Sequence, residues 1–195
     1  MSTWNNRKWM LFVDGENLTF RGQKFISEQK LAFAEGTYCK KDVFIWMANP
    51  HPLNVPDDAS GHVYTLEERA LRAYYYTSAV GSEEHIAEIR TSLWKIGFTP
   101  KVFKKPKKEE KSKGVDIALC TDMLTHAFQN HFDAAVLMTG DADYRPLIGR
   151  VKSLGKSVYL WFFESAAHGM SPELKVESDG LIELDGQFRK NWYKP

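Results

Sequence analysis

The feature that most constrains this chain is a succession of short apolar runs separated by amphipathic stretches. Runs at 9–13, 71–76, 98–103, 134–138 and 158–163 are strand-length, and most are rich in Val, Phe, Tyr or Trp. They are continuously apolar rather than alternating, as expected of strands covered on both faces. Helical patterns lie between them. Residues 82–97 (SEEHIAEIRTSLWKIG) put Ile86, Ile89, Leu93 and Ile96 on one face, with Ser82 as N-cap and Gly97 as stop. Residues 115–128 carry Ile117, Cys120, Leu124 and Phe128 at helical spacing, which predicts that they form the buried stripe. Residues 144–156 carry Leu147, Ile148, Val151 and Leu154 before Gly155, and Ser171-Pro172 reads as an N-cap followed by Pro at the first helical position. Strand and helix in alternation predict a doubly wound, Rossmann-like α/β/α sandwich with a mainly parallel sheet.

At 195 residues the chain suits a single domain, 1–195, and can bury roughly 70% of its unfolded surface without a disulfide or metal staple. Residues 36–70 break the alternation. They hold an apolar VFIWM run (43–47), three prolines between 50 and 56, and HVYTL, and are read as an insertion containing an extra hairpin and a long loop. Only two cysteines occur, with no CxxC spacing, which argues against a zinc ribbon and suits a reducing compartment. The start MSTWNNRKWMLFVDGEN reads as a cytosolic N-terminus, and no run approaches the ~20 apolar residues of a membrane span. A cytoplasmic, membrane-free protein is expected.

The formal charge is only +1, but it is unevenly spread. Residues 101–113 (KVFKKPKKEEKSK) hold seven Lys and two Glu, a net +5 that leaves −4 on the rest. A basic segment on a mildly acidic body is either a solvated loop or a docking surface for a polyanion. Lys104, Lys105, Lys107, Lys108, Lys111 and Lys113 are the candidate phosphate contacts.

In an open parallel sheet, ligands bind beyond the carboxyl ends of the strands, where strand order reverses. The polar residues immediately after the apolar runs are therefore informative. Asp14-Gly15-Glu16-Asn17 follows the first run and Thr139-Gly140-Asp141-Ala142-Asp143 follows the fourth. Asp116 opens a predicted helix whose start returns to the same edge. Each acid alone suits a turn, a cap or a helix-dipole role. Together, Asp14, Asp116, Asp141 and Asp143 would repel one another unless a cation lay between them. Hard oxygen ligands select Mg²⁺ or Mn²⁺, which lower the pKa of bound water and stabilise charge on a phosphate. Metal-assisted phosphodiester hydrolysis is the resulting expectation. Asp122 lies six positions beyond Asp116, about 240° round the helix, and is expected to support the site from another face. Thr139 is expected in a similar supporting role. The six histidines show no metal-ligand spacing.

The segments LFVDGENL (11–18), LRAYYYTS (71–78), KGVDIALCTDML (113–124), AAVLMTGDADYRPLI (134–148) and GKSVYLWFF (155–163) resemble, in order and spacing, those of NYN domains, particularly the LabA-like group of the PIN-like nuclease superfamily. The resemblance spans roughly residues 8–185. It implies a PIN-like sandwich and divalent-metal-dependent endoribonuclease activity, with Mg²⁺ or Mn²⁺ on Asp14, Asp116, Asp141 and Asp143. It further implies that Asn17 orients a metal ligand or the scissile phosphate. RNA, single-stranded or structured, is the expected partner, and self-association into a homo-oligomer stays open. The insertion at 36–70 and the dense Lys run depart from the compact pattern. Rival readings are a PIN-like scaffold that binds RNA or protein without cutting, and a DxD-type nucleotide-sugar transferase. The transferase reading leaves Asp14 and Asp116 unexplained. An aspartyl phosphatase would want Asp where Glu16 stands.

Overall fold

A computed structural model describes residues 8–30, 32–33, 37–46, 70–107, 114–164, 169–185 and 193–194. Lys108, Lys111, Lys113 and residues 47–69 of the insertion lie outside the described residues.

The elements follow in the order β1 (Trp9–Asp14), α1 (Gly15–Gln29), β2 (Ala32–Phe33), β3 (Tyr38–Lys40), β4 (Phe44–Trp46), β5 (Arg72–Ala79), α2 (Glu83–Lys95), β6 (Thr99–Lys104), α3 (Val115–Phe128), β7 (Ala134–Met138), α4 (Arg145–Ser153), β8 (Ser157–Phe162), α5 (Pro172–Glu177), β9 (Gly180–Glu183) and β10 (Tyr193–Lys194). The main sheet is parallel throughout, in the order β6-β5-β1-β7-β8-β9. From β1 the chain winds outward through β5 to β6, then crosses to β7 and winds the other way. Right-handed crossovers place α1 and α2 on one face and α3, α4 and α5 on the other. Strand order therefore reverses between β1 and β7. Every residue of these two strands is buried, as their unbroken apolar runs require. Phe12 anchors the α3 face, stacking on Tyr74 at 5.7 Å and meeting Phe132 edge-on at 6.0 Å. Ser82 and Ser171 cap their helices, and Gly97 ends α2 with φ at +96°.

Three expectations need correction. The buried stripe of α3 is Val115, Leu119, Met123 and Ala127, whereas Ile117 and Phe128 are 68% and 80% exposed. Both stripes repeat at helical spacing, so periodicity could not choose between them. The second sheet strand runs on to Ala79 rather than ending at Tyr76, because Thr77 and Ser78 are buried with their hydroxyls paired. The strand β9, at the sheet edge, was not anticipated.

The insertion does contain a hairpin, β3–β4, but half of it is core. Phe44, Ile45 and Trp46 are buried, and Trp46 meets Phe98 edge-on at 4.6 Å. The Tyr75 hydroxyl donates to the Ile45 carbonyl and accepts from its N–H, both at 3.2 Å, and Thr77 donates to the Val43 carbonyl.

The turn from β1 into α1 admits only glycine at position 15. A Cβ there would collide with the Tyr75 ring and lie 2.6 Å from the Tyr76 carbonyl oxygen. Gly15→Ala is expected to destabilise the fold by roughly 1–3 kcal/mol or more, as overpacking does. A chemical denaturation midpoint equal to wild type would contradict this close approach.

Candidate active site

The crevice at the strand reversal is built from two turns that lace together. Asp14 ends β1 and caps α1, its Oδ1 accepting the Asn17 N–H at 3.0 Å. Its Oδ2 accepts the Thr139 hydroxyl, also at 3.0 Å, from the turn after β7. Asn17 answers from α1, its Oδ1 accepting the Gly140 N–H at 3.1 Å. Thr139 Oγ1 in turn accepts the Asp141 N–H at 3.2 Å. Asp141 then accepts the Asp143 N–H at 3.0 Å, capping a 3-10 turn over Ala142–Tyr144. Gly140 cannot carry a side chain, since a Cβ would lie 2.7 Å from the Phe162 ring. Across the crevice, the start of α3 presents Asp116, whose Oδ1 accepts the Tyr144 hydroxyl at 2.8 Å.

Burial pushes the Asp14 carboxyl up to about 7. The hydrogen bonds from Asn17 and Thr139 oppose that shift, while the charges of Asp116 and Glu16 add to it. Burial also raises the Tyr144 hydroxyl, with Asp14 and Asp116 reinforcing it, so Tyr144 is a neutral donor. The Cys120 thiol is raised first by burial and then by Asp116 and Asp14.

Elsewhere, lysines pair with acids: Lys101 with Asp122 at 3.0 Å, Lys152 with Asp179 at 3.2 Å and Lys175 with Glu164 at 3.1 Å. Among the described residues, no Lys or Arg forms an ion pair with Asp14, Asp116, Asp141 or Asp143.

The expected site residues are thus partly assembled. Asp14, Asn17, Thr139 and Asp141 share one network, and Asp116 faces it through Tyr144 and through its charge on Asp14. Asp143 is exposed and joins the network by its backbone. Among the described residues, no group of three or more His, Cys, Asp or Glu is arranged to hold an ion, so the four aspartates are not drawn into a ligand cluster. Asp122 stands apart from Asp116, as the helical wheel requires, accepting from the Tyr76 hydroxyl at 3.0 Å beside Lys101. Lys104 is turned to Glu83 at 2.9 Å. Lys105 lies 3.8 Å from Glu16 at the rim, and Lys107 is exposed.

Sequence reasoning missed Tyr144 and Glu16. Tyr144 directly follows the GDAD run, which was its only signal. Glu16 accepts the Ser78 hydroxyl and faces Lys105, so it joins β5 and the Lys-rich segment to the first motif.

A parallel α/β/α sandwich whose reversal point is lined by acids that no described Lys or Arg pairs with is the class that fold and site define. Within that class the chain belongs to the NYN domain family, whose sequence profile matches residues 8–185. Its fold is similar to the crystal structure of a protein of unknown function from Vibrio parahaemolyticus. The TM-score is 0.58 at 16% identity, covering 95% of this chain and 97% of that one. It is also similar to the uncharacterized protein y4oD of Sinorhizobium fredii, at 34% identity over 73 residues. That match covers 37% of this chain, which spans about a third (34%) of the relative's length.

The raised Asp14 carboxyl predicts how stability varies with pH. At low pH folded and unfolded chains both hold the proton, so Asp14 costs nothing. As pH rises from 3.8, the ordinary carboxyl value, to about 7, the unfolded chain ionises while the folded one resists, and stability is lost. Asp14→Asn is therefore expected to be more stable than wild type at pH 8 in EDTA, by of order 2–4 kcal/mol. The gain should shrink towards zero near pH 4. Urea titrations across that range check it, and a pH-independent difference would contradict it.

Proposed function

We propose that this protein is a divalent-metal-dependent endoribonuclease of the LabA-like group of NYN domains, acting in the cytoplasm. The carrying observation is the set of acids at the strand reversal with no Lys or Arg partner among the described residues, centred on Asp14, whose carboxyl burial raises to about 7. Family membership favours the PIN-like nuclease superfamily over a sugar transferase. It also accounts for Asp14 and Asp116, which a DxD motif leaves idle. No helix among the described residues is long and apolar enough to cross a membrane.

The donor set is all oxygen and negatively charged, which fits Mg²⁺ or Mn²⁺. Asp14, Asp116 and Asp141 would have to draw closer than they stand in this structure to hold the ion, with Asp143 supplying an exposed carboxylate at the rim. Bound there, such an ion supplies Lewis acidity and an acidified water. The remaining roles fall to the chain itself. Asn17 has its Oδ1 committed to the Gly140 N–H, so its amide nitrogen is the group that would donate to a phosphate oxygen. The Tyr144 hydroxyl steadies Asp116, and Thr139 steadies Asp14. Lys105 and Lys107, with Lys108, Lys111 and Lys113 in the same run, would hold flanking phosphates as point charges.

Wild-type protein should cleave RNA in Mg²⁺ or Mn²⁺ and stop in EDTA. Asp14→Asn, Asp116→Asn and Asp141→Asn should each lower cleavage at least 100-fold while keeping a cooperative thermal transition. Tyr144→Phe should cost less, roughly tenfold, because it frees Asp116 without removing a carboxylate. A panel of single-stranded RNA, duplex RNA, tRNA and single-stranded DNA is the measurement. Binding of RNA without cleavage by the wild type, in either metal, would overturn catalysis in favour of a non-cutting module.

A further inference from the structure

A groove of ≈ 870 Å³ leaves the carboxylate rim at Glu16 and passes between α1 and the β3–β4 turn. Helix α1 presents Glu16, Thr19, Phe20 and Gln23 to it, which is one helical face. The opposite wall is the hairpin turn, with Lys40 and Lys41, and Lys105 stands at the end nearest the rim. Two observations set this groove apart from an ordinary surface hollow.

The first is an aromatic ring with nothing to cover it. Phe20 is 65% exposed on a helix whose other large apolar residues, Leu18, Phe25 and Ile26, are buried. The second is a strip of cations carried on a backbone that is held in place. Among the described residues neither Lys40 nor Lys41 forms an ion pair, and Lys105 meets only Glu16, at 3.8 Å. The hairpin that carries Lys40 and Lys41 is bolted to β5 by the Tyr75–Ile45 and Thr77–Val43 hydrogen bonds. Its turn is pinned to α1 as well. With the Gln23 amide oriented to satisfy both groups, its nitrogen donates to Asp42 Oδ1 at 2.9 Å and its oxygen accepts the Asp42 N–H at 2.8 Å. The Asp42 charge is thereby turned towards Gln23.

We infer that this groove holds an unpaired flank of the RNA substrate, with a base stacked on Phe20 and the backbone phosphates on Lys40, Lys41 and Lys105. The inference rests on the ribonuclease reading and gives it a substrate class, single-stranded RNA. Stacking on Phe20 requires a base with a free face, which a duplex keeps inside its stack. Ammonium groups along the opposite wall match a backbone without reading sequence. Because Glu16 lines the groove and stands two residues beyond Asp14 at the start of α1, a strand lying there would run towards the acids.

The test is fluorescence anisotropy of the full chain with a labelled 12-nucleotide oligouridine and with a hairpin duplex RNA. EDTA is present throughout, so nothing is cut. Phe20→Ala should weaken oligouridine binding roughly tenfold, as loss of a base–aromatic stack does, with little change in duplex binding. Lys40→Ala/Lys41→Ala should flatten the log–log salt slope by about 1.4, two contacts at ~0.7 each. Trp94→Ala, which removes a 68% exposed ring outside the groove, should change neither. Wild-type affinity and slope in both groove variants would overturn the inference and leave the ribonuclease reading standing. Equal loss on oligouridine and duplex in Phe20→Ala would overturn the single-strand assignment. Failure of the wild type both to bind and to cleave any RNA would remove both readings together.

Discussion

The hydrogen bond from Thr139 to Asp14 holds the two halves of the site together. It joins the turns after β1 and β7, which are the two strands between which the sheet reverses. Both strands are buried and paired on both sides, so their ends cannot drift independently. Asp14 also caps α1 through the Asn17 N–H, and Asn17 reaches back to the Gly140 N–H. The result is a closed ring of bonds in which each motif positions the other. Such a ring fixes the two turns relative to one another.

That ring is held at an electrostatic cost. A buried carboxyl near Asp116 and Glu16 would be relieved by a neighbouring lysine, and lysines relieve acids at several other places in this protein. Here the neighbours are hydroxyls and backbone N–H groups. Tyr144 is the clearest instance, because it supplies a hydrogen bond to Asp116 while burial keeps it uncharged. A lysine in its place would satisfy the same carboxylate and cancel the local negative charge. The crevice therefore retains its capacity to attract a cation, at the expense of stability, the trade common at functional sites.

Much of this was legible in the residues, and for identifiable reasons. Strands β1 and β7 are buried on both faces, so their sequences are unbroken apolar runs, and the acids that follow mark the strand ends. Ser82, Gly97 and Ser171 carried their cap signals openly. Helix α3 was misread because Ile117 and Phe128 share the spacing of Val115 and Leu119, and only the sheet it packs on decides which stripe is buried. Ser78 hid the end of β5, since a polar residue inside a strand becomes legible only when its distant partner, Glu16, is known. Tyr144 was invisible as a functional group because its partner is 28 positions away in the chain. The hairpin wall was illegible for the same reason, as its place depends on Tyr75 and Thr77 rather than on its own pattern.

The two basic elements differ in what places them. Lys105 stands just past β6, 3.8 Å from Glu16. Lys40 and Lys41 line the groove through tertiary structure. Phe44, Ile45 and Trp46 fill the core, so the turn that precedes them is held against α1 with two ammonium groups on its surface. A charge carried on a backbone held in this way loses little backbone freedom when it meets a phosphate. The hairpin lysines should therefore contribute to orientation as well as attraction. The near-zero net charge of the whole chain conceals this layout, in which a groove beside the acidic crevice carries Lys40, Lys41 and Lys105. An anionic polymer is drawn by the groove and repelled by the crevice until a divalent ion occupies it. On the proposed reading, that opposition makes productive RNA binding at the acids conditional on the metal, while attachment along the groove is not.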